Sequence, residues 1–251
     1  MPPYDQGGTG QPAGMLTAIS RLKYYSLQKM NGKYGMTVAV TVLILALNFF
    51  FSIVISLIVP PENIFLFAAS EFVVFLVDLL MGMLVSGRTY LYMNILYDRT
   101  AAFIDLKQGF TEHPEKAVLL QVPFALAACI AAAPMSYYQI FYMTEPDREV
   151  LFVCLLISMA GFIGELILSL IFSQVFYLLH DFPERKASEL FAASARLMKG
   201  HIGQYFLLLL SYLPWLFLSA LLFFIPALFI LSQMYAAQTA FYQGLTNRQT
   251  Y

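Results

Sequence analysis

Glu71, Asp78 and Glu165 are carboxylates inside stretches apolar enough to be membrane-embedded. An ionisable side chain at the centre of a helical span costs roughly 2.5–3.5 kcal/mol on insertion scales, so each acid needs a partner, a cavity or a proton. Asp78, Gly82, Ser86 and Tyr90 run acid, small, Ser, aromatic at steps of four, and Glu165, Ser169, Ser173 and Tyr177 repeat that order 87 positions later. Steps of four keep side chains on one slowly drifting helix stripe, so the two stripes could meet along a polar seam. Two chemistries fit such a seam. Asp78, Glu165, Glu71, Ser86, Ser169 and Ser173 could line a proton- or cation-responsive cavity, as in secondary carriers. Alternatively the acids fasten the second span to the fourth, since interhelical polar contacts average only about 0.6 kcal/mol and need no transport role.

The elements that carry these residues are read from charge and apolarity. The chain is 60% hydrophobic and 12% charged, where soluble domains are about half apolar and a quarter charged, which makes it a multi-span membrane protein. No Asp, Glu, Lys or Arg occurs from Tyr34 to Pro61, from Ala117 to Thr144, or through the 48 residues from Gly200 to Asn247. A helical span takes about 20 apolar residues, so the last run holds two spans and the others one each. Phe65–Val85 and Val150–Leu179 add two more, interrupted only by the acids. Six spans are expected, and Pro123, Pro134, Pro214 and Pro226 are expected to interrupt three of them.

Thirteen of the 14 basic residues lie before span one, between spans two and three, between spans four and five, or after span six. Only Arg148 lies on the other side. Lys and Arg are held on the cytoplasmic face during insertion, so both termini are expected in the cytoplasm of a cell whose cytoplasmic membrane holds the protein. Residues 1–14, rich in Pro, Gly and Gln and lacking the basic start and apolar run of a cleaved signal, read as a disordered tail.

Before each odd-numbered span lies a segment of helical period that is too charged to cross a bilayer. From Glu184 to Lys199, residues Ala187, Leu190, Phe191, Ser194, Leu197 and Met198 share one face, with Arg185, Lys186, Glu189, Arg196 and Lys199 opposite. This suits an interfacial amphipathic helix whose Arg185, Lys186, Arg196 and Lys199 meet anionic headgroups at about 1 kcal/mol per residue. Met15, Ile19, Leu22 and Met30 precede span one in the same way, and Ala102, Phe103, Leu106 and Phe110 precede span three less regularly. The junctions Met30-Asn31-Gly32-Lys33-Tyr34-Gly35 and Met198-Lys199-Gly200-His201-Ile202-Gly203 share M-x-G-x-x-G at an offset of 168, about twice 87. The fold class expected is therefore all-α: a polytopic membrane bundle of six transmembrane helices and three interfacial amphipathic helices. It would form a single membrane domain over 15–251 from three tandem parallel repeats, approximately 15–97, 98–180 and 181–251. In the third unit, counting back in fours from Tyr242 meets Gln238, Met234 and Ile230 and no acid. The glycines Gly32 and Gly200 are read as left-handed helix ends.

Asp181, Pro183, Lys186 and Ala187, then Ser194, Leu197-Met198-Lys199-Gly200, Leu210-Ser211-Tyr212, Trp215 and Phe241-Tyr242 resemble an uncharacterised family of bacterial integral membrane proteins found mainly in Firmicutes. The resemblance is specific over the last 70 residues or so. It implies a six-span cytoplasmic-membrane protein with no catalytic residues to carry over. Where that family has Pro-Tyr in the final span, this chain has Met234-Tyr235. In layout alone the chain is also similar to membrane domains that precede glycerophosphodiester phosphodiesterases.

No H-E-x-x-H, G-x-S-x-G or phosphate-cradling glycine loop occurs, and no Ser and Lys are paired within a span. His113, His180 and His201 lack metal-ligand spacing, and Cys129 and Cys154 sit within spans as small apolar residues. No enzyme activity, cofactor, metal or nucleic-acid partner is expected. The expected function is a non-catalytic membrane component that remodels, senses or scaffolds the membrane, with anionic lipid and a protein partner or second copy as its contacts. The alternative is a small-solute or ion transporter working through the seam.

Overall fold

The computed structural model describes residues 12–142 and 144–248, and among them the chain is helical with no strand. In chain order the helices are α1 (Pro12–Met30), α2 (Tyr34–Ile58), α3 (Ile64–Leu96), a 3-10 turn at Phe103–Lys107 running into α4 (Gln108–Thr111), α5 (Pro114–Phe141), α6 (Arg148–Ile171), α7 (Val175–Asp181), α8 (Ala187–Met198), α9 (Ile202–Leu210), α10 (Leu213–Leu221) and α11 (Ile225–Arg248). Helix α1 begins three residues inside the stretch expected as a tail; residues 1–11 of that stretch lie outside the described residues.

Five helical stretches are long and apolar enough to cross a bilayer: α2, α3, α5, Arg148–Asp181 and Ile202–Leu221. Helix α11, expected as a sixth span, is not among them. Its apolar first turns give way to Ser232, Gln233, Gln238, Thr239 and Gln243. Of the prolines, Pro214 interrupts its stretch as expected, and the others do not. Pro123 and Pro134 lie inside an unbroken α5. Pro214 opens α10 after a break at Ser211–Tyr212, and Pro226 is the second residue of α11, where a missing N–H costs nothing.

A residue one or two positions before each odd-numbered expected span is left-handed. Gly32 (φ 76°) and Gly200 (φ 84°) take this conformation after α1 and α8, and His113 (φ 52°) takes it immediately before α5. Glycine adopts it without a Cβ penalty.

The chain divides into two compact units. The first holds α1, the start of α2 up to Thr41, the end of α3 from Tyr92 to Ala102, and α9 to α11. Its buried core includes Met30, Val40, Ile95, Tyr205, Leu208 and Tyr242, with Ala236, Ala237 and Ala240 on α11; small residues let helix backbones approach closely. Helix α11 is polar because its polar side chains have partners. The Tyr34 hydroxyl donates to Gln233 Oε1 at 2.6 Å, Ser232 and Thr41 pair at 3.2 Å, and the Tyr25 hydroxyl donates to Gln243 Oε1 at 3.2 Å. Lys23 on α1 donates to the Ser211 carbonyl at 3.2 Å and lies 4.0 Å from the centre of the Tyr212 ring. Burial pushes its pKa below the usual lysine value. Lys29 forms an ion pair with Asp98.

The second unit spans Val42–Leu91 and Phe103–Lys199. Its core gathers Leu120 on α5, Val175 to Leu179 on α7, and Leu190, Ser194, Leu197 and Met198 on α8. A chain break separates α6 from α7, and Ser194 closes it: its hydroxyl accepts from the Gln174 N–H at 3.3 Å and donates to the Ile171 carbonyl at 3.2 Å. Glycines set the helix contacts. A Cβ on Gly109 would stand 1.8 Å from the Met83 carbonyl oxygen, and one on Gly87 would stand 2.1 Å from that of Leu106, so the Phe103–Thr111 segment lies directly on the α3 backbone.

Two stability predictions follow from these contacts. Gly109→Ala should lower stability by about 3 kcal/mol or more, since backbone must move to admit the methyl group, whereas Gly164→Ala, with open space around it, should leave the detergent-solubilised melting temperature unchanged or slightly raised. Ser194→Ala should cost about 1–3 kcal/mol in the same melting assay because it strands two backbone groups; Ser194→Thr, which keeps the hydroxyl, should recover part of that loss.

Candidate functional site

Glu71 and Asp78 lie on α3, two turns apart, and Glu165 lies on α6; all three are half-buried. Their approach is set by α5. A Cβ on Gly82 of α3 would lie 2.6 Å from Gln121 Cβ and 2.9 Å from the Ala117 oxygen, and one on Gly161 of α6 would lie 2.7 Å from Ala131 Cα. Both helices therefore touch α5 closely, and each acid sits one turn from a point of contact: Asp78 before Gly82, Glu165 after Gly161. Asp78 lies within electrostatic reach of Glu165, and Glu71 and Asp78 lie within such reach of Cys129 on α5. The seam expected between spans two and four thus includes span three. Sequence reasoning missed Cys129 here, since a lone thiol in an apolar run carries no signal of what it faces.

Among the described residues none of the three carboxylates makes a hydrogen bond or an ion pair. Beside Glu165 an open groove of about 610 Å³ runs between α5 and α6. It is lined by apolar side chains such as Ala128, Met135 and Phe162, and by Ser158, whose buried hydroxyl has no partner. The groove offers one carboxyl and one hydroxyl in an otherwise apolar trough, which suits a hydrocarbon-rich occupant better than a hydrated ion.

The serines of the two stripes are committed elsewhere. Ser86 is fully buried, and His180 Nε2 stands 2.9 Å from the Ser86 carbonyl and 3.2 Å from its hydroxyl, beneath the Tyr90 ring at 5.2 Å. The contact to a carbonyl requires the hydrogen on Nε2, so this nitrogen is a donor and not a base toward Ser86. Ser173 donates to the Leu170 carbonyl at 3.1 Å and accepts from Gln174 Nε2 at 2.8 Å. Ser169 is half-buried on α6, one turn beyond Glu165. What the structure brings together is Asp78, Glu165, Glu71 and Cys129; Ser86 and Ser173 belong to the α3–α7 contact and the α6–α7 break.

Arg185, Lys186, Arg196 and Lys199 are exposed on or beside α8, while Ala187, Leu190, Ser194, Leu197 and Met198 are buried under it. The Arg185 guanidinium lies 4.7 Å from the Phe182 ring centre. Among the described residues no group of three or more His, Cys, Asp or Glu is placed to hold a metal ion.

Apolar helices of this length and number, with acids buried among them, define a multi-pass helical membrane protein. The chain belongs to the family described as "Protein of unknown function (DUF975)", which it matches over residues 15–249. No curated protein and no solved structure matches it.

Asp78→Asn and Glu165→Gln should each leave the folded, detergent-solubilised protein as stable as the parent or more stable by about 1 kcal/mol, because each removes a charge near another of like sign and breaks no hydrogen bond. A melting temperature lowered by several degrees in either variant would show instead that the carboxyls hold the helices together.

Proposed function

We propose that the protein is a non-catalytic, multi-pass component of the cytoplasmic membrane that senses, remodels or scaffolds it through anionic lipid headgroups and a protein partner or second copy. The observation that carries this reading is the setting of α8. Ser194 ties the helix to the break between α6 and α7, and its apolar side chains are spent on the protein core. Arg185, Lys186, Arg196 and Lys199 are thereby held outward on a fixed support, an arrangement suited to a charged headgroup layer. The Ser–His contact at Ser86 is no catalytic pair, because the facing nitrogen is the donor.

The same reading places both termini in the cytoplasm. The sorting of basic residues supports it, and so does the pairing of α9–α10 with α11, which returns the chain to the side it entered from. The left-handed residues Gly32, His113 and Gly200 at three equivalent junctions support a threefold repeat of surface helix and hairpin, with approximate boundaries at 97 and 180.

A second reading, a small-solute or ion carrier, is favoured by one observation: Asp78 and Glu165 share a neighbourhood without a counter-charge. The two readings separate by experiment. Adding phosphatidylglycerol to the purified protein in neutral detergent should raise its melting temperature by several degrees. The quadruple variant Arg185→Gln, Lys186→Gln, Arg196→Gln, Lys199→Gln should lose most of that rise, given about 1 kcal/mol per basic residue near an anionic surface. An undiminished rise would sink the headgroup reading, and proton-driven solute uptake into proteoliposomes that vanishes with Glu165→Gln would establish the carrier.

A further inference from the structure

The third hairpin, α10 to α11, turns in a way the other two do not. In the first, Val59-Pro60-Pro61-Glu62-Asn63 joins α2 to α3, and Asn63 caps α3 by accepting from the Phe65 and Leu66 N–H groups at 3.1 and 2.9 Å. In the second, Asp147 caps α6 through Glu149 and Val150 at 2.8 and 3.3 Å, within Thr144-Glu145-Pro146-Asp147-Arg148. Both turns carry polar side chains and acids, as a turn in water does. The third is Leu221-Leu222-Phe223-Phe224-Ile225, without a polar side chain.

That turn closes upon itself. The Ser219 carbonyl accepts from the Leu222 N–H at 3.1 Å and the Phe224 N–H at 2.9 Å, and the Phe224 carbonyl accepts from the Ala227 N–H at 3.1 Å. The long-range bond to Ser219 is the closure that glycine usually completes at a helix end. Here Phe223 and Phe224 hold left-handed φ values of 55° and 62°, a conformation bulky residues avoid. Phe223 is 88% exposed and Leu221 78% exposed. A turn that folds two of its backbone donors onto one carbonyl and presents only apolar side chains suits hydrocarbon better than water.

Depth follows from the hydrogen bonds of this unit. Thr41 pairs with Ser232, so those residues share a level. Thr41 is seven residues inside Tyr34, the first residue of α2 and the neighbour of charged Lys33, which is about 10 Å at 1.5 Å per residue. From Ser232 back to Phe224 is eight residues, about 12 Å more. The tip thus lies at most about 22 Å into a hydrocarbon layer about 30 Å thick, and less deep by the Tyr34–Gln233 bond, which sets the Tyr34 hydroxyl beside Gln233. The other limb gives a similar figure: Ser211, held by the Lys23 ammonium, precedes Phe223 by twelve residues, about 18 Å. Beyond the tip's reach, α11 has sixteen residues from Ser232 to Arg248, about 24 Å, so its polar half extends past the Tyr34 level, where Gln243 meets Tyr25 of α1.

We infer that the third hairpin is re-entrant: α10 and the first turns of α11 enter from the cytoplasmic side, turn at Phe223–Phe224 among lipid acyl chains, and return without reaching the opposite aqueous phase. The bilayer's own hydrocarbon is the partner of this surface, and the first two hairpins alone carry loops to the far side.

Trp215 is the single tryptophan of the chain and lies four residues beyond Ser211, which makes the test direct. Full-length protein is reconstituted into vesicles of phosphatidylcholine brominated either near the headgroup or near the chain end. Phe223→Trp is made in a Trp215→Phe background, with Leu222→Trp as a second reporter should the first fail to fold. The tip tryptophan should be quenched more by chain-end than by headgroup-proximal bromine and not at all by aqueous iodide, whereas native Trp215 should shift toward the headgroup-proximal quencher. Stronger quenching of the tip by headgroup-proximal bromine or by iodide would mean that the hairpin crosses fully. Quenching by neither lipid would mean that protein covers it. Either result overturns the inference.

Discussion

In hydrocarbon no water completes a hydrogen bond, so wherever an embedded helix stops, protein must close the exposed backbone. The chain stops its helices at three such places and closes each from within. At the α6–α7 break Ser194 of α8 both accepts and donates. At the α9–α10 break the Ser211 and Tyr212 N–H groups bond back to Leu207 and Leu209, and Lys23 of α1 takes the Ser211 carbonyl. At the α10–α11 turn the Ser219 carbonyl serves two donors. The first two closures also fix where two further helices must lie: α8 where Ser194 can reach, α1 where Lys23 can reach. Helices α8 and α1 are thus positioned by interruptions in the apolar stretches, and the basic residues they carry are positioned with them.

Packing among apolar helices then depends on how closely backbones approach, since lipid tails compete equally for apolar side chains. Glycine performs this task at Gly82 and Gly161, where α3 and α6 meet α5, and at Gly87 and Gly109, where the Phe103–Thr111 segment lies on α3. Alanine performs it on α11. The same approaches bring the acids near one another and near Cys129. Their juxtaposition is a product of small residues one turn away, so the acids and the glycines of each stripe form one arrangement.

Long apolar runs made α2, α3, α5 and the α6–α7 stretch legible, because a run of about 20 apolar residues has few other solutions. The glycines of M-x-G-x-x-G marked two left-handed turns by the same local logic. Helix α11 was legible as a charge-free run, but the polar contacts of its Ser232, Gln233 and Gln243 were not, since they answer to residues about 200 positions away. Ser194 was placed on the buried face of its helix, while its role at the α6–α7 break depends on a carbonyl 23 residues earlier. Ser86 and Ser173 looked like seam residues from their spacing. The spacing set their helix position, but their partners, His180 and Gln174, are chosen by tertiary contact.

The division of polar labour bears on what the acids do. Fastening is carried by Ser86 with His180, by Ser194 and by Ser232, Gln233 and Gln243 of α11, all neutral groups with hydrogen-bond partners. Asp78, Glu165 and Glu71 make no hydrogen bond or ion pair among the described residues. At roughly 2.5–3.5 kcal/mol each on insertion scales, three unpartnered acids would together cost an amount comparable to the whole stability of a small domain, about 5–15 kcal/mol. Half-burial of the three, and for Glu165 an open groove beside it, lower that cost without removing it. The remainder has to be offset by something the described residues do not supply: a bound proton, or a ligand atom that donates to a carboxylate in an apolar trough.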